Sequence, residues 1–560
     1  MKKLILISSL SVLCLAAQKP TVLTPASTGV SASFKSYAAA NPAVPAEDGA
    51  EVESPNQHYI PRGTATRTPS SSYTAPASTM KTQTTSGTLP VTVLQNIVGL
   101  GNGFNSWTNQ GLLPPDTTMA VGNGQIVQWV NLRMTVLNKT NGGLVLGGSG
   151  YVNGNQVWSG LAPTAICRTQ NNGDPVVQYD RLANRWVLSQ FAFNSTNTQN
   201  ALCFAISQTN DATGAYNLYE YDFPNVLPDY PKLGVWTDAY YMTANNFTYP
   251  GGSYSGSQVC AFDRTNMLAG STASAVCFTF GSNTDGSHFA MLPVDFEGSI
   301  PPPANSAAYI LNGDWFNLNN PPYSLKIRRF KPDFVTPVNS TITDGQGGAT
   351  DSAITLPFDN SVIGACNDSG GACVQQPSTT RKLDTLSMRP MYRLAYRNLG
   401  GTGTNRESLV FTQSIGKSAN TAFAGIQLLE IRNPGSATPS IFNNVHFNPD
   451  ANSRWMGAAA SDKLGNIGMG YSIGSSTLSP GIRIAGRTRG DLPSTIRGEL
   501  SVKVGSGNQT STAQRWGDYS TMQIDPDDDC TFWFTTEYTN NTSSANWGTQ
   551  IVSFRFNSCQ

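Results

Sequence analysis

The chain contains few charged residues. Asp, Glu, Lys and Arg together make up 12% of its 560 residues, about half of the usual share of roughly 25%, and the formal net charge is zero. Because no cluster of basic residues is present to bind phosphate groups, nucleic acid is not expected as a partner. Gly, Ser, Thr and Asn take the place of Lys and Glu, which favours short strands joined by turns over long surface helices.

Histidine is also scarce, and several catalytic signatures are missing. A Ser-His-Asp triad would have to use His288 or His446, since the third histidine, His58, lies in a low-complexity segment. H-E-x-x-H is absent, so zinc-protease chemistry is not indicated. The glycine-rich stretches GLGNGF and GGTGTN lack the lysine of a phosphate-binding loop. The tripeptide RGD at 489–491 matches a cell-adhesion motif, although three residues often match by chance.

The longest apolar run of the sequence is at its N-terminus, in MKKLILISSLSVLCLAAQKP. Lys2 and Lys3 precede an apolar stretch that ends near Leu15, and Ala16 or Ala17 offers a small residue for cleavage, so residues 1–17 are predicted to be a signal peptide. The run is too short to remain as a membrane span. We therefore expect a soluble protein, secreted to the extracellular space or the periplasm, with no membrane span.

Nine cysteines occur, and one of them, Cys14, belongs to the predicted signal peptide. An even number in an exported chain indicates disulfides, and eight cysteines allow 105 connectivities. No pair has C-x-x-C spacing, so a zinc ribbon or a thioredoxin-like site is not indicated. The order along the chain predicts pairing between neighbours: Cys167–Cys203, Cys260–Cys277, Cys366–Cys373 and Cys530–Cys559.

Residues 18–88 are rich in Pro, Ser and Thr and show almost no aliphatic periodicity. Such a composition cannot bury enough apolar surface to fold, so this segment is predicted to be a disordered linker. A pro-segment or a stalk is the alternative. Residues 89–560 are then predicted to form one folded domain.

After the linker the chain repeats a pattern of strand, tight polar turn and aromatic or aliphatic strand. It is seen in PPDTTMAVGNGQIVQWVN, GDPVVQYDRLANRWVLSQF, DYPKLGVWTDAYYMTANNF, SRWMGAAASDKLGNIGMGYS and RWGDYSTMQIDPDDDCTFWFTTEY. In the last of these, DPDDD occupies the place of GNG, DRLAN, TD and DKLGN in the others. We therefore interpret this acidic stretch as a hairpin turn, because Asp hydrogen-bonds its own backbone there. A calcium-assisted turn is the alternative.

The spacing of these repeats predicts an all-β fold of the β-propeller type. Asp116 and Asp174 are 58 residues apart, Asp174 and Asp229 are 55 apart, and the gap that follows leaves room for two further repeats near Asp295 and Asp384. Repeats of this length with a few short strands each are typical of propeller blades. We predict a disulfide-stapled propeller of seven blades, with six or eight as alternatives. Residues 89–100 are predicted to supply a strand to the last blade.

The motifs RWMGAAASDKLGNIGMGYS, RWGDYSTMQIDPDDDCTFWFTTEY and GDPVVQYDRLANRWVLSQF resemble those of a family of exported bacterial proteins with a propeller-like repeat. The resemblance extends over residues 95–560 and implies fold and export, without implying catalytic residues. More distantly, the repeats resemble sialidase-like propellers. Ser461, Asp462 and Gly465 match part of the Asp-box turn of those proteins, but the Asp is one place early and no Trp follows at the expected distance.

Four aspartates recur near the starts of predicted first strands. Because the innermost strands of a propeller run the same way along the channel, equivalent residues at their starts lie together at one mouth. Carboxylates brought together raise one another's pKa unless a cation compensates, so this arc is predicted to bind a calcium ion, with Asp174 and Asp229 as ligands, or a cationic ligand group. Capping of strand starts by backbone amides is the alternative. The predicted ligand-binding residues are Asp116, Asp174, Asp229 and Asp518.

Two classes of function fit these observations. The first is a secreted, monomeric binding or surface-interaction protein, whose extracellular ligand is unknown and is expected to be a carbohydrate or a surface protein. The second is an extracellular carbohydrate-active enzyme, a glycoside hydrolase or lyase, which uses carboxylates at the channel mouth. Glu297, Glu430 and Glu537 are among the few glutamates available to it, and each lies in an alternating pattern typical of a strand. The sequence therefore favours binding over catalysis.

Overall fold

The protein is described by a computed structural model in which most of the chain after residue 87 is placed. The predicted signal peptide, Cys14, Cys366 and most of the predicted linker lie outside the described residues. No helix in the described part of the chain has the length and apolar character needed to cross a membrane. The described residues are 19–36, 85, 87–105, 112–194, 199–248, 252–281, 288–313, 324–343, 353–357, 372–387, 389–400, 406–417 and 420–560.

The described chain is all-β, as predicted, and its helices are short. Three strands precede the repeats: β1 (Thr21–Leu23), β2 (Ser27–Val30) and β3 (Val91–Gly99). The helices span one or two turns each: Gly154–Trp158 and Pro337–Asn339 are 3-10 helices, and Ile166–Thr169 and Arg264–Ala269 are α-helices.

Most of the remaining strands form antiparallel meanders, which we call units 1 to 7 in chain order. Each unit has four strands, and in unit 7 the fourth strand is β3. Unit 1 contains β4 (Thr117–Gly122), β5 (Gln125–Val130), β6 (Arg133–Asn138) and β7 (Val152–Asn153). Unit 2 contains β8 (Gly173–Asp180), β9 (Arg185–Phe193), β10 (Asn200–Ser207) and β11 (Tyr216–Asp222). Unit 3 contains β12 (Val226–Val235), β13 (Ala239–Thr248), β14 (Tyr254–Asp263) and β15 (Ala275–Gly281).

Units 4 and 5 share one sheet, because their first strands pair in parallel. Unit 4 contains β16 (Leu292–Glu297), β17 (Ala308–Gly313), β18 (Ser324–Lys331) and β19 (Thr341–Thr343), and β20 (Ile354–Pro357) also pairs with β18. A separate hairpin follows, formed by β21 (Ala372–Val374) and β22 (Leu383–Asp384). Unit 5 contains β23 (Leu394–Asn398), β24 (Glu407–Lys417), β25 (Asn420–Arg432) and β26 (Ser440–Phe447).

The last two units complete the series. Unit 6 contains β27 (Ser453–Ser461), β28 (Ile467–Ser475), β29 (Leu478–Arg487) and β30 (Arg497–Lys503). Unit 7 contains β31 (Thr521–Ile524), β32 (Thr531–Thr539) and β33 (Trp547–Phe556), with β3 as its fourth strand. The pairing of β3 with β33 confirms that residues 89–100 contribute a strand to the last repeat.

The first strands of successive units lie next to one another at the centre of the fold. β4 contacts β8, β8 contacts β12, and β12 contacts β16, which pairs with β23. β23 contacts β27, β27 contacts β31, and β31 contacts β4. Apolar side chains pack between neighbouring units: the centroids of the Phe204 ring of unit 2 and the Phe262 ring of unit 3 are 4.4 Å apart. The propeller-like character predicted from the repeats is confirmed by this arrangement.

Three of the four predicted disulfides are confirmed: Cys167–Cys203, Cys260–Cys277 and Cys530–Cys559. Cys373 is also disulfide-bonded, and its predicted partner lies outside the described residues. The first bridge ties the short helix Ile166–Thr169, which precedes unit 2, to β10. The second joins the paired strands β14 and β15 of unit 3, and the third ties the start of β32 to the C-terminus. Pairing of Cys260 with Cys277 follows from local topology, because a meander brings consecutive strands side by side.

The predicted disorder of residues 18–88 is wrong for residues 19–36. There β1 pairs with β15 of unit 3, and β2 pairs with β11 of unit 2. A strand added to a sheet edge is held by backbone hydrogen bonds and needs little apolar periodicity. Composition alone therefore misjudged this segment.

The acidic stretch DPDDD is a hairpin turn, as predicted, since it joins the antiparallel strands β31 and β32. Asp525 accepts a hydrogen bond from the Trp533 indole at 3.0 Å and pairs with Lys139 of unit 1 at 2.9 Å. Asp528 caps its own turn by accepting from the backbone amides of Cys530 and Thr531 at 2.8 and 2.9 Å.

Asp529 of the same turn joins three other units. Its carboxylate lies 2.8 Å from Arg181 of unit 2 and 3.6 Å from Arg397 of unit 5, and it accepts from the backbone amide of Ser299, just after β16, at 2.9 Å. Burial alone would raise the pKa of Asp529, but Arg397 and Arg181 outweigh burial and hold the pKa below its ordinary value. The acidic turn of unit 7 thus contacts units 1, 2, 4 and 5.

We expect Asp529→Asn to lower the free energy of unfolding by about 2–3 kcal/mol, because the buried Arg397 and the partly buried Arg181 lose their carboxylate. Asp527→Asn in the same turn is the matched control. The Asp527 side chain is 60% exposed and forms an ion pair with Lys139, so its loss should cost less than about 1 kcal/mol. Urea denaturation of both variants at pH 7 measures the difference. Equal losses would show that Asp529 adds nothing beyond an ordinary turn residue.

Candidate functional site

The four predicted aspartates lie at the starts of first strands and are brought together by the fold. Asp116 directly precedes β4, Asp174 and Asp229 lie within β8 and β12, and Asp518 lies three residues before β31. All four side chains are buried. Each interacts electrostatically with the ammonium group of one further residue, Lys232 of β12.

Three of the four aspartates have left-handed backbone conformations, and the fourth is followed by a residue that has one. Asp116, Asp174 and Asp518 have φ angles of 47°, 45° and 55°, and Tyr230, next to Asp229, has a φ of 54°. Asp is one of the few residues that adopt this left-handed region readily, which gives the recurrence of Asp at these positions a structural reason. The pairing register shifts at the same places in β8 and β12, and such bulges redirect the side chains beside them.

Lys232 is fully buried and is enclosed by aromatic rings. Its Nζ lies 3.4 Å from the centroid of the Tyr230 ring and 4.0 Å from that of Tyr519, and it donates to the Pro231 carbonyl at 3.0 Å. Burial lowers the pKa of Lys232 to about 8 although the four aspartates act in the opposite direction. The four aspartates favour the charged form of this amino group, which is placed as their counterion.

Two arginines border this cluster. Arg515 forms an ion pair with Asp518 at 2.5 Å. The guanidinium of Arg389 lies 5.0 Å from the centroid of the Tyr230 ring and 5.1 Å from that of Phe289. The four aspartates are thus balanced by cations that the chain itself supplies, which the sequence reasoning missed. The available signal was the rare lysine in DYPK, three residues after Asp229.

Glu537 of β32 is a fifth carboxyl group next to the cluster. It is fully buried, and burial together with Asp518 raises its pKa well above 4.5. An unfolded chain would release this proton near pH 4.5, whereas the folded protein retains it. Glu537 therefore lowers stability progressively as pH rises from that value toward its raised pKa, by up to about 1.4 kcal/mol per pH unit.

We expect Glu537→Gln to be more stable than the wild type at pH 7, because Gln resembles the protonated carboxyl and has no proton to lose. The two proteins should converge near pH 4. Melting temperatures of both, measured from pH 4 to 8, test this expectation. Parallel pH curves would contradict the raised pKa of Glu537.

A network of buried ion pairs lies deeper between the first strands. Arg393, just before β23, pairs with Asp295 and, at 2.7 Å, with Glu297, and it donates to the Met522 carbonyl at 2.5 Å. Beside it, the Gln523 amide donates to Gln178 at 2.7 Å. Polar side chains from units 2, 4, 5 and 7 thus fill the centre of the fold. The small cleft beside them is lined by both glutamines, Tyr179, Glu297, Arg393 and Pro526, among others.

The three candidate glutamates lie on different strands. Glu297 belongs to β16, Glu430 to β25 and Glu537 to β32, and all three are buried. Glu297 is paired with Arg393 as described, and Glu430 pairs with Arg432 and accepts from Asn443. Glu297 and Glu430 are therefore engaged in ion pairs and hydrogen bonds within the protein.

Two short motifs also have structural roles. The RGD aspartate, Asp491, accepts three hydrogen bonds from the Arg497 side chain and one from the Thr488 amide, so its carboxylate is engaged within the protein. Residues 470–474 read G-Y-S-I-G and match the G-x-S-x-G pattern of serine hydrolases. They lie within β28, and buried Ser472 accepts from the Trp516 indole at 3.0 Å. This is not the strand-to-helix turn that a nucleophile requires.

Among the described residues there is no group of three or more His, Cys, Asp or Glu side chains arranged to hold a metal ion. Asp174 and Asp229, the predicted calcium ligands, lie instead around the Lys232 ammonium group. Calcium binding stays a prediction.

Comparisons with known proteins give a loose likeness of fold. No family model matches the sequence, and neither does any curated protein. The polysaccharide lyase Uly1 shares 10% identity, with a TM-score of 0.37 over 85% of this chain and 98% of that one. The endosialidase of phage phi92 shares 9%, with a TM-score of 0.34 over 84% and 70%. The α-L-arabinanase of Cellvibrio cellulosa shares 11%, with a TM-score of 0.29 over 58% and 94%. Similarities of this size carry no information on function.

Proposed function

We propose that the protein is a secreted binding protein built as a seven-bladed β-propeller. Each of the seven units is one blade, and β3 from the N-terminal side completes the last blade. Such closure by a distant strand joins residues from the two ends of the domain in one sheet. Export, predicted from the N-terminal sequence, agrees with the three disulfides.

The observation that supports binding over catalysis is that the charged groups of the channel are engaged with one another. Lys232 lies among the four aspartates, Arg393 holds two carboxylates of β16, and Asp529 holds two arginines. A channel filled in this way is a rigid support, and loops carried on a rigid support are the usual place for ligand recognition. The ligand class that we propose is an extracellular carbohydrate or a surface protein.

A carbohydrate-active enzyme is the second candidate, and one observation favours it. Burial and the neighbouring Asp518 raise the pKa of Glu537, and Asp518 is ion-paired with Arg515. A protonated carboxyl next to a carboxylate is the arrangement used by enzymes that need an acid and a base. Both groups are buried, however, so substrate could reach them only if the mouth opened.

Binding and turnover can be measured on the same protein. We expect the protein to bind one ligand class on a glycan array or on a cell surface, without hydrolysing or cleaving a panel of polysaccharides and chromogenic glycosides. Glu537→Gln should leave this binding unchanged. Turnover by the wild type that Glu537→Gln abolishes would instead establish the second candidate.

We also propose that calcium binds at the aspartate cluster. The metal ion must then bind beside the Lys232 amino group or displace it. If it does so, calcium raises the melting temperature of the wild type and Asp174→Ala with Asp229→Ala abolishes the rise. A melting temperature that responds neither to calcium nor to a chelator rejects the metal.

A further inference from the structure

Residues 19–36, which we call the N-terminal arm, add one strand to each of two blades that are already complete. β8–β11 and β12–β15 form four-stranded meanders without the arm, like the four-stranded sheets of units 1, 6 and 7. The sheets of units 2 and 3 have five strands because β2 and β1 are added at their outer edges. The arm is therefore an addition to the fold, and the site that holds it is formed by residues far away in sequence.

The arm and its site meet through a reciprocal contact of two glycines. A Cβ atom on Gly29 would lie 2.3 Å from the Gly160 carbonyl oxygen, and a Cβ atom on Gly160 would lie 2.0 Å from the Val30 carbonyl oxygen. The atoms nearest to either position all belong to the opposite partner. Each of the two positions therefore excludes any side chain as long as the arm is bound, and neither has a positive φ.

An aromatic side chain anchors the end of the arm. Phe34 is 2% exposed, and its ring stacks on Tyr216 with 4.9 Å between centroids. The backbone amides of Ser31 and Phe34 donate to the carbonyls of Tyr216 and Thr213, both at 2.9 Å, and the Tyr216 amide donates to the Ser31 hydroxyl at 3.0 Å. The site thus recognises backbone along an extended segment, a glycine, and an aromatic residue five positions after it.

The connection to the rest of the chain is long enough for the arm to reach another molecule. Ser36 and Val91, the first residue of β3, are 55 positions apart, which corresponds to roughly 180 Å when fully extended. A strand held at a sheet edge through such a connection has the properties that permit exchange between identical chains.

We propose that the outer edges of β11 and β15, together with Gly160 and Tyr216, form a peptide-binding site that the chain's own arm fills and that the arm of a second copy of this chain can fill instead. This inference goes beyond the proposed function and does not depend on the ligand. The high local concentration of a linked arm keeps the wild type monomeric.

Two full-length variants distinguish the arm, which is the bound segment, from the site that binds it. Gly29→Val has an arm that no longer fits but an intact site, whereas Gly160→Val has an intact arm but a blocked site. Mixed together, they should form a one-to-one dimer of about twice the monomer mass in light scattering, and each alone should stay monomeric. Thr28→Val changes the exposed neighbour of Gly29 and should behave as wild type, alone and in mixtures.

A mixture that stays monomeric, with both variants folded, overturns the proposal. If Gly160→Val does not fold, a fluorescent peptide of residues 19–36 is added to full-length Gly29→Val. Saturable binding that is lost when the peptide carries Gly29→Val supports the site, and absence of binding rejects it.

Discussion

Replacing Lys232 with methionine is expected to lower the free energy of unfolding by about 3–5 kcal/mol at pH 7, because four buried aspartates then lose the cation between them. Methionine retains the length of the side chain, and its thioether can pack against Tyr230 and Tyr519. The expected loss of stability therefore reflects the missing charge of Lys232 and not a change in side-chain volume. Urea denaturation at pH 7 measures it.

Lys331→Met is the matched control, because Lys331 is exposed at the end of β18, and it should change stability by less than about 0.5 kcal/mol. The deficit of Lys232→Met should shrink toward pH 4. Carboxyl groups in general become neutral as the pH falls toward about 4, and this removes the repulsion among the acids that the missing ammonium group leaves uncompensated. A deficit that is constant from pH 4 to 7 would contradict the electrostatic explanation.

Replacing Arg393 with methionine is expected to have an effect of similar size, about 3–5 kcal/mol. Arg393 holds the carboxylates of Asp295 and Glu297, and these in turn accept from the backbone amides of Val235 at 2.9 Å and Ile524 at 3.0 Å. The network therefore joins units 3, 4, 5 and 7. Its loss should lower the unfolding midpoint of the whole domain in one transition.

Arg381→Met serves as the control for this variant, because Arg381 is exposed and its replacement should change stability by less than about 0.5 kcal/mol. Calorimetry of both variants shows whether unfolding stays cooperative. Separate transitions for different parts of the domain in Arg393→Met would contradict the expected single transition. A melting curve unchanged from the wild type would contradict a role for Arg393 in stability.

Only part of the aspartate cluster could be predicted from the sequence. Recurrence of Asp near strand starts was enough to predict that Asp116, Asp174, Asp229 and Asp518 lie together. The cation among them was not predicted, because Lys232 occurs in one repeat only and periodicity cannot identify an unrepeated residue. Whether the cluster binds a ligand stays a prediction.

What the sequence by itself determined are the features that depend on neighbours along the chain. The all-β class, the hairpin turn at DPDDD and the pairing of Cys260 with Cys277 follow from alternation, turn chemistry and the order of strands in a meander. Only the tertiary structure decided which distant groups meet. Lys232 among four aspartates, Asp529 between Arg181 and Arg397, and Gly29 against Gly160 each join separate repeats or segments. Their proximity depends on how the units pack around the centre, which no local pattern encodes.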